Sequence, residues 1–435
     1  MGLHVLIVGG GLGGLCLAQG LRKDGVSVAV YEREASPATA QGYRIHIDQT
    51  GSRALHTCLS PALWDAFVAT AGQPCAGFGF LTDQMRELLF IEQRRIEHKA
   101  AGAPFDPVTS EHPVSRVALR QVLLGGLGDV VHFGKELRRY EATQESVTAY
   151  FGDGTSAGGD VLVGADGVGS RVRQQYLPHA TVVDTGIAAV GGKLPLDALS
   201  RRWLPEAFAT RLNSVLPPSG CGMFIAQYVQ KPERRRFEKG GGGLDLGLHV
   251  DDLQDHVFWA FIAKRSKYEL DADLRDVDGA LLQTTVLTLI DSWHPDLVRL
   301  VADSDPRTVA AIRVQSSEPV QPWKTTRVVP LGDAIHAMTP FQGLGGNTAF
   351  RDAALLHRRL VEANRGENGL LAAIEAYEKA MLRYSFDAVR LSRKIGELAV
   401  SDDGFGRAMF KTVLRVVDGV PPLKQKIFGA RPASE

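Results

Sequence analysis

The first 32 residues carry the clearest hydrophobic pattern in the chain. An apolar run, His4–Val8, leads directly into a glycine-rich stretch at 9–14, and residues 15–23 then carry the small and apolar side chains of a packed helix. A second apolar run, Ser27–Tyr31, ends at Glu32. This order predicts a buried strand, a tight turn, a helix and a second strand.

Later segments show either the alternation typical of strands or the three-and-four spacing typical of helices. The pattern predicts strands at 41–47, 130–133, 146–151 and 160–164, a hairpin at 77–91 around Asp83, and antiparallel strands at 221–229, 244–250 and 256–263. It predicts helices at 52–70 with a break near Pro61, from Val114 with Ser115 as N-cap, and at 278–293, 348–364 and 370–395. The last helix is amphipathic, so it either packs against the body of the protein or forms the seam of a dimer.

Between about residues 180 and 315 the strand–helix alternation stops, which predicts a separate β-rich domain. The length of 435 residues fits two or three domains. Apolar residues make up 44% and charged residues 23%, the balance of a soluble globular protein. Lys plus Arg equals Asp plus Glu at 49 each, so nothing indicates a nucleic-acid partner or a polybasic membrane anchor.

Cysteine usage and the absence of long apolar segments bound the location of the protein. Cys16, Cys58, Cys75 and Cys221 form no CxxC pair and no metal-ligand spacing. We therefore expect buried free thiols and a cytoplasmic protein. The amino-terminal apolar run lacks preceding basic residues, so we expect mature fold rather than a signal peptide. No segment is long and charge-free enough to span a bilayer, so we expect no stable membrane association.

The glycine stretch between the first two elements is typical of dinucleotide binding. Gly9 permits the tight turn, Gly11 lets backbone N–H groups approach a pyrophosphate, and Gly14 lets the helix lie close to the strand. The phosphates would then face the positive N-terminus of the helix. Glu32 follows Gly14 by 18 residues and can accept hydrogen bonds from an adenosine ribose. This motif alone does not distinguish FAD from NAD.

Two later motifs narrow the cofactor. Gly164-Ala165-Asp166-Gly167 ends an apolar strand, and Gly332-Asp333 follows another, ahead of Pro340 and the Gly343–Asn347 stretch. With all three motifs in this order, the chain resembles the single-component class A flavoprotein monooxygenases, which have the p-hydroxybenzoate hydroxylase fold. That family usually shows Gly-Gln-Gly where this chain has Gly343-Leu344-Gly345, a small departure because the loop binds through its backbone.

The resemblance implies an α/β fold: a Rossmann-like FAD-binding domain with an inserted β-rich substrate domain and C-terminal helices. We expect the FAD-binding domain at 1–72, 102–178 and 316–366, the substrate domain at 73–101 and 179–315, and a helical segment at 367–435. It implies bound FAD, with NADH or NADPH as a transient co-substrate. The cofactor-binding residues expected from it are Gly9, Gly11, Leu12, Gly13, Gly14, Glu32, Arg33, Arg44, Arg116, Asp166, Gly167, Gly332, Asp333, Pro340, Gly343, Gly345, Gly346 and Asn347. For Arg44 and Arg116 the alternative is a surface salt bridge.

The implied reaction uses O2 to hydroxylate an aromatic or polycyclic small molecule through a C4a-hydroperoxyflavin. His46 and His336 are candidate acid–base groups, although a lone histidine is also often structural. Met223, Tyr228 and His249 are candidates to bind the substrate, and Phe224 lies with them on the predicted substrate-domain strands; core packing is the alternative for all four. We expect a small-molecule substrate, no nucleic-acid partner, and a monomer or homodimer.

Two other functions compete with hydroxylation. The first is a related flavoenzyme that catalyses epoxidation, Baeyer–Villiger oxidation or halogenation. A halogenase of this fold is expected to carry Trp-x-Trp-x-Ile-Pro, which the nearest stretch, Trp259-Ala260-Phe261-Ile262, does not match. The second is a non-catalytic nucleotide-binding regulator, which would need the first glycine motif but not the Gly332-Asp333 motif.

Overall fold

The structure is a computed structural model that describes residues 2–36, 44–93, 105–218, 220–231 and 254–428. The strands are β1 His4–Val8, β2 Ser27–Tyr31, β3 Arg44–Ile47, β4 Gly77–Thr82, β5 Glu87–Glu92, β6 His112–Ser115, β7 Val131–His132, β8 Leu137–Ala142, β9 Val147–Phe151, β10 Ser156–Gly159, β11 Val161–Gly164, β12 Val182–Pro195, β13 Leu212–Leu216, β14 Cys221–Tyr228, β15 His256–Lys264, β16 Ala310–Ser317 and β17 Val328–Pro330. The α-helices are α1 Leu12–Lys23, α2 Gln49–Cys58, α3 Pro61–Thr70, α4 Arg116–Leu124, α5 Arg171–Tyr176, α6 Glu206–Thr210, α7 Gly279–Leu289, α8 Pro295–Ala302, α9 Asp333–His336, α10 Leu344–Asn364, α11 Leu370–Ala399, α12 Gly404–Gly419 and α13 Pro421–Phe428.

A parallel sheet forms the first layer of the molecule. Its order is β17-β11-β1-β2-β7, and every neighbouring pair is parallel. The apolar residues of β1 are buried on both faces, as parallel strands covered by helices require. Helices α1 and α10 pack together against this sheet, and they bury Leu15, Leu17 and Phe350 completely.

A second sheet is mostly antiparallel and has the order β16-β12-β15-β14-β13-β4-β5. Strand β4 pairs in parallel with β13, so the 77–92 hairpin joins strands from much later in the chain. Helices α7 and α8 cover one face, where Leu282 and Leu297 pack with Trp259. The predicted α/β class with a separate β-rich unit is therefore confirmed, while the exact domain bounds stay a prediction.

The C-terminal helices pack on both units, which confirms that the chain ends in helices. On α11, Ile374, Tyr377 and Met381 are fully buried, and the Tyr377 hydroxyl donates to the carbonyl oxygen of Pro330 at 3.1 Å. The apolar face of α11 therefore packs against the body of the protein. No helix in the described ranges has the length and the apolar character needed to cross a membrane.

One buried acid ties α11 to the chain segment before β17. Glu378 is 4% exposed. Its Oε1 accepts from Trp323 Nε1 at 2.8 Å, and its Oε2 accepts from the Thr325 hydroxyl at 2.6 Å. Burial raises the pKa of Glu378 to about 7, although both hydrogen bonds lower it.

Several predicted boundaries are corrected. The helix expected from Val114 begins at Arg116, because His112–Ser115 pairs with β3 as a strand; Ser115 is nevertheless its N-cap. The helix expected at 348 begins at Leu344, so most of the glycine stretch expected to be a loop is the first helical turn. Residues 41–43 and the predicted strand at 244–250 lie outside the described residues.

Candidate functional site

The parallel sheet brings the three sequence motifs to one edge. Strands β1, β11 and β17 run in the same direction and end at Val8, Gly164 and Pro330. The residues that follow these strand ends are the first glycine motif, the Asp166-Gly167 motif and the Gly332-Asp333 motif. Ligands of open α/β sheets bind beyond the carboxyl ends of the strands. The edge is therefore the candidate site.

The first glycine motif has the geometry that its residues predict. Gly9 has a φ of +111°, and a Cβ there would lie 2.3 Å from the carbonyl oxygen of Ala165. A Cβ at Gly14 would lie 2.3 Å from the carbonyl oxygen of Gly9. At Gly11, in contrast, a Cβ would meet no atom within 4 Å. The backbone therefore packs too tightly at Gly9 and Gly14 to admit a side chain. The space beside Gly11, at the N-terminus of α1, is empty.

Glu32 closes the turn from the end of β2. Its Oε2 accepts from the N–H of Gly10 at 2.7 Å, and its Oε1 accepts from the N–H of Glu34 at 2.9 Å. The neighbouring Arg33 is exposed. None of the three sequence motifs includes Arg120, which is 7% exposed and donates from Nε to the carbonyl oxygen of Gly10 at 3.1 Å. The signal available in the sequence was an arginine that stands among the apolar residues of a predicted helix.

Asp166 caps its own turn at the end of β11. It accepts from the Ser170 hydroxyl at 2.5 Å and from the N–H of Arg171 at 2.8 Å. Burial raises the pKa of Asp166, although these bonds lower it. Arg173 donates to the carbonyl oxygen of Ala334 at 2.9 Å, which fixes the second motif to the third. Gly167 has a φ of +76° and no neighbour around its missing Cβ.

Asp333 lies in a cleft and faces other predicted site residues. Asp333 is in contact with solvent, but the protein packed around its carboxyl group partly desolvates it and so raises its pKa. The charges of His336 and Arg116 act in the opposite direction and lower that pKa. A Cβ at Gly345 would lie 3.9 Å from Asp333 Oδ1. Asp333, Arg116 and the start of α10 therefore converge, although they come from three separate parts of the chain.

The start of α10 is held to β3 by one amide side chain. Asn347 donates from Nδ2 to the carbonyl oxygens of His46 and Gly343, both at 2.9 Å, and accepts the N–H of Asp48 at 3.0 Å. Gly343 has a φ of +64°. Gly346 meets no atom within 4 Å of its missing Cβ. Pro340 begins a 3-10 turn just before this stretch and is exposed.

His336 is placed below the cleft rather than in it. It is fully buried, and its Nε2 lies 2.6 Å from Asp352 Oδ2. The same oxygen accepts from the N–H of Gly332 at 3.0 Å, and Asp352 Oδ1 accepts from the Tyr384 hydroxyl at 2.6 Å. Burial lowers the pKa of His336, but the charge of Asp352, its hydrogen bond and the charge of Asp333 together raise that pKa above its usual value. This arrangement supports the third motif from beneath.

His46 instead lies beside the start of α10 and is partly open. Its Nε2 lies 2.9 Å from Glu111 Oε2, and its Nδ1 is buried without a hydrogen-bond partner among the described residues. Glu111 also accepts from Gln93 Nε2 at 2.7 Å. Burial raises the pKa of Glu111, but these hydrogen bonds lower it to below its usual value. Nothing in the sequence joined His46 to Glu111, since 65 residues separate them.

Arg44 lies on the same strand and is buried near Cys75, Glu111 and Tyr228. It is 9% exposed, and its Nε and Nη2 have no partner in the described parts of the chain. Burial lowers its pKa to about 10, while Cys75, Glu111 and Tyr228 raise it by their charge. Buried guanidinium nitrogens are normally hydrogen-bonded, so this side chain is poised for a ligand.

The second sheet faces the site with alternate side chains of its strands. Phe341, in the turn before α10, and Ile262 of β15 both pack against the cluster formed by Ile187, Val314 and Val400. On the same face, Phe78 and Phe224 are half-buried, with ring centroids 6.5 Å apart. Phe224 is among the residues that the sequence predicts on the substrate-domain strands, whereas Phe78 is not, although its alternation with buried neighbours was a signal.

Two of the three substrate-binding candidates are buried in the second unit. Met223 is 1% exposed and packs in the cluster beneath α7 and α8, on the opposite face of β14. The structure therefore places it in the core. Tyr228 is fully buried, stacks on His256, and donates from its hydroxyl to the carbonyl oxygen of Thr70 at 3.2 Å. His249 lies outside the described residues.

This geometry agrees with the family comparison. The model of the FAD binding domain family matches residues 2–200 and 276–392. A FAD-dependent monooxygenase of Trichoderma harzianum is 30% identical over 425 residues, which cover 90% of this chain and 92% of that protein. The chain therefore belongs to the FAD-binding monooxygenase family, and the class expected from its three motifs is confirmed.

Two further relatives define the extent of the likeness. A dual O-methyltransferase/FAD-dependent monooxygenase of Phaeosphaeria nodorum is 30% identical over 453 residues, which cover 94% of this chain but 46% of that protein. The chain thus spans about half the length of the dual-function relatives it matches. A crystal structure from Photorhabdus luminescens, described as that of an FAD-containing monooxygenase, is 33% identical, with a TM-score of 0.78 over 92% of this chain and 98% of its own.

Proposed function

We propose that this chain uses NADH or NADPH and O2 to hydroxylate an aromatic or polycyclic small molecule. The observation that carries the proposal is the contact of Phe341, beside the glycine stretch that starts α10, with the sheet face that presents Phe78 and Phe224. Half-buried aromatic side chains beside a cofactor cleft suit a flat, apolar substrate.

The residues at the sheet edge fit FAD. Gly11 and Gly346 leave space beside backbone N–H groups, and Arg44 has buried nitrogens free for a ligand. In this proposal Glu32 binds the adenosine ribose, and the turn at Gly11 binds the pyrophosphate at the N-terminus of α1. Asp333 binds the hydroxyl groups of the ribityl chain. The ring system then lies at the start of α10, near Arg44 and Arg116.

FAD, when bound, supplies hydride acceptance from the nicotinamide and activation of O2. The chain has to hold the substrate against the ring system and keep water out. The first turn of α10 presents unpaired backbone N–H groups and the positive end of the helix dipole. These groups stabilise negative charge on the bound cofactor, while Arg116 offsets the charge of Asp333.

We further propose that His46 is the base that removes a proton from a phenolic substrate. Glu111 lies at hydrogen-bond distance from Nε2, and an ionised Glu111 favours the tautomer with the proton on Nε2. That tautomer leaves Nδ1 unprotonated and without a partner among the described residues. His336 then has a positioning role, through Asp352 and the N–H of Gly332.

The function is tested with purified protein. We expect it to bind FAD, and to oxidise NADH or NADPH in a panel of phenols and polycyclic aromatics with a product heavier by one oxygen atom. Simultaneous measurement of co-substrate oxidation and product mass separates insertion of one oxygen atom from halogenation and from uncoupled oxidation of the co-substrate. NMR spectra of the product then distinguish a new hydroxyl group from an epoxide or an ester. Protein that gains no flavin absorbance on addition of FAD would overturn the whole proposal.

The role of His46 has its own test. We expect His46→Gln to lower kcat on phenols about 100-fold or more, the range for a lost general base, and to remove the acidic limb of its pH profile. FAD affinity stays unchanged in this variant. His179→Gln, which changes an exposed histidine that is not among the predicted site residues, is the control. An unchanged pH profile in His46→Gln would assign His46 to a structural role.

A further inference from the structure

Four arginines line one groove on the outer side of the first domain. Arg53 comes from α2, Arg351 and Arg358 come from α10, and Arg383 comes from α11. The groove has a volume of about 440 Å³. The described residues that line it include neither Asp nor Glu. Because the chain as a whole carries equal numbers of basic and acidic residues, this concentration of positive charge is local.

The four guanidinium groups are not neutralised by the protein. Among the described residues, none of these four arginines forms an ion pair. Most other exposed arginines have an acidic partner, as Arg390 has in Asp387. Arg351 packs its guanidinium over the ring of Tyr384, at 3.8 Å from the ring centroid. One wall of the groove is therefore fixed, and the like charges around it repel each other unless an anion lies between them.

We propose that this groove binds a phosphorylated small molecule, through its diphosphate or its terminal phosphate group. Guanidinium forks match the oxygen atoms of phosphate groups, and a ligand with two or more negative charges offsets the repulsion of four cations. Thr50 adds a hydroxyl donor, while Ala54 and Leu355 give an apolar floor for the rest of the ligand. The volume lies in the range of about 300–1,000 Å³ that is typical of small-molecule pockets.

The groove is distinct from the cleft at the sheet edge but is connected to it. Tyr384 lines the groove and donates its hydroxyl to Asp352. Asp352 in turn accepts the N–H of Gly332, at the start of the third motif. A ligand that moves Tyr384 would therefore be reported by the flavin absorbance of the holoenzyme, in addition to its own binding signal.

The test is titration calorimetry of the FAD-saturated protein with inorganic pyrophosphate, because bound FAD fills the glycine cleft. We expect saturable binding that weakens as salt increases. Arg53→Gln and Arg383→Gln should each weaken it about tenfold or more, as expected for a lost charge-assisted hydrogen bond. Arg202→Gln, at an exposed arginine outside the groove, should leave the affinity unchanged. Circular dichroism checks that each variant is folded.

Two further arms identify the source of the phosphate. If the ligand is the 2′-phosphate of the co-substrate, Arg53→Gln raises KM for NADPH but not for NADH. If it is a separate nucleotide or pyrophosphate, both KM values stay the same while pyrophosphate binding is lost. Absence of pyrophosphate, ATP and NADPH binding at millimolar concentration would overturn the proposal. So would binding of normal strength in the Arg53→Gln, Arg383→Gln double variant.

Discussion

Glu378 makes the stability of the fold depend on pH near neutrality. Its carboxyl group is buried between α11 and the segment before β17, and its pKa is raised from 4.5 to about 7. The folded state therefore holds this proton more tightly than the unfolded state does. The stabilisation is fully present below about pH 4.5, and it is lost as pH rises through 7.

The magnitude follows from that rise in pKa. At roughly 1.4 kcal/mol for each pH unit, ionisation of Glu378 lowers the free energy of unfolding by about 3 kcal/mol once the pH is above 8. In Glu378→Gln the side chain stays neutral at every pH. Its amide oxygen can accept from Trp323, and its amide N–H can donate to the Thr325 hydroxyl. We therefore expect this variant to be more stable than the wild type above pH 7 and similar to it near pH 5.

The assay is urea unfolding of both proteins from pH 5 to pH 8.5. The free energy of unfolding of Glu378→Gln should increasingly exceed that of the wild type as pH rises. Asp387→Asn, at an exposed acid further along α11 that pairs on the surface with Arg390, is the matched control and should show no such increase. A constant gap between Glu378→Gln and the wild type, or a less stable variant at pH 8.5, would refute this account of Glu378.

Three further predictions concern the cofactor cleft. Gly11→Val should abolish FAD binding without unfolding the protein, since the space beside Gly11 is empty; absorbance after FAD addition measures this, with Gly128→Val as control. Glu32→Ala should weaken FAD binding by about 1.5–3 kcal/mol, and an unchanged dissociation constant would leave Glu32 only its structural hydrogen bonds to Gly10 and Glu34. Gly345→Pro should still bind FAD but with a lower flavin reduction potential, because one N–H of the first turn of α10 is lost; a normal potential and normal reduction rate would contradict the placement of the flavin.

The sequence predicts the elements whose signals are local. Strands β1 and β2 match to the residue, because apolar runs and glycine chemistry lie side by side in the chain. The start of α10 was missed, because its first turn is glycine-rich and has no side-chain cap. Strand β12 was missed because its register shifts after Asp184, and because Gly192 lies against Trp259 in place of an apolar side chain.

Parts of the candidate site depend on pairings between distant segments, and those could not be read from the chain. Asp333 and Arg116 become neighbours only when β17 and α4 are both in place. Whether Met223 or Phe224 faces the cleft is decided by the pairing register of β14, because side chains alternate between the two faces of a strand. The resemblance of the motifs predicted the cofactor family; the side chains around the substrate depend on this register.

The order of strands in the parallel sheet has a consequence for synthesis on the ribosome. Strand β17, at one edge, comes from Val328–Pro330, whereas its partner β11 comes from Val161–Gly164. Until that late segment has emerged, the outer edge of β11 has no partner, and Gly332-Asp333 is missing from the cleft. Strand β4 likewise lacks its parallel partner until β13 has been synthesised. Nascent chains with open strand edges are prone to aggregate, so a fragment that ends near residue 200 should need a chaperone or a fusion partner to remain in solution.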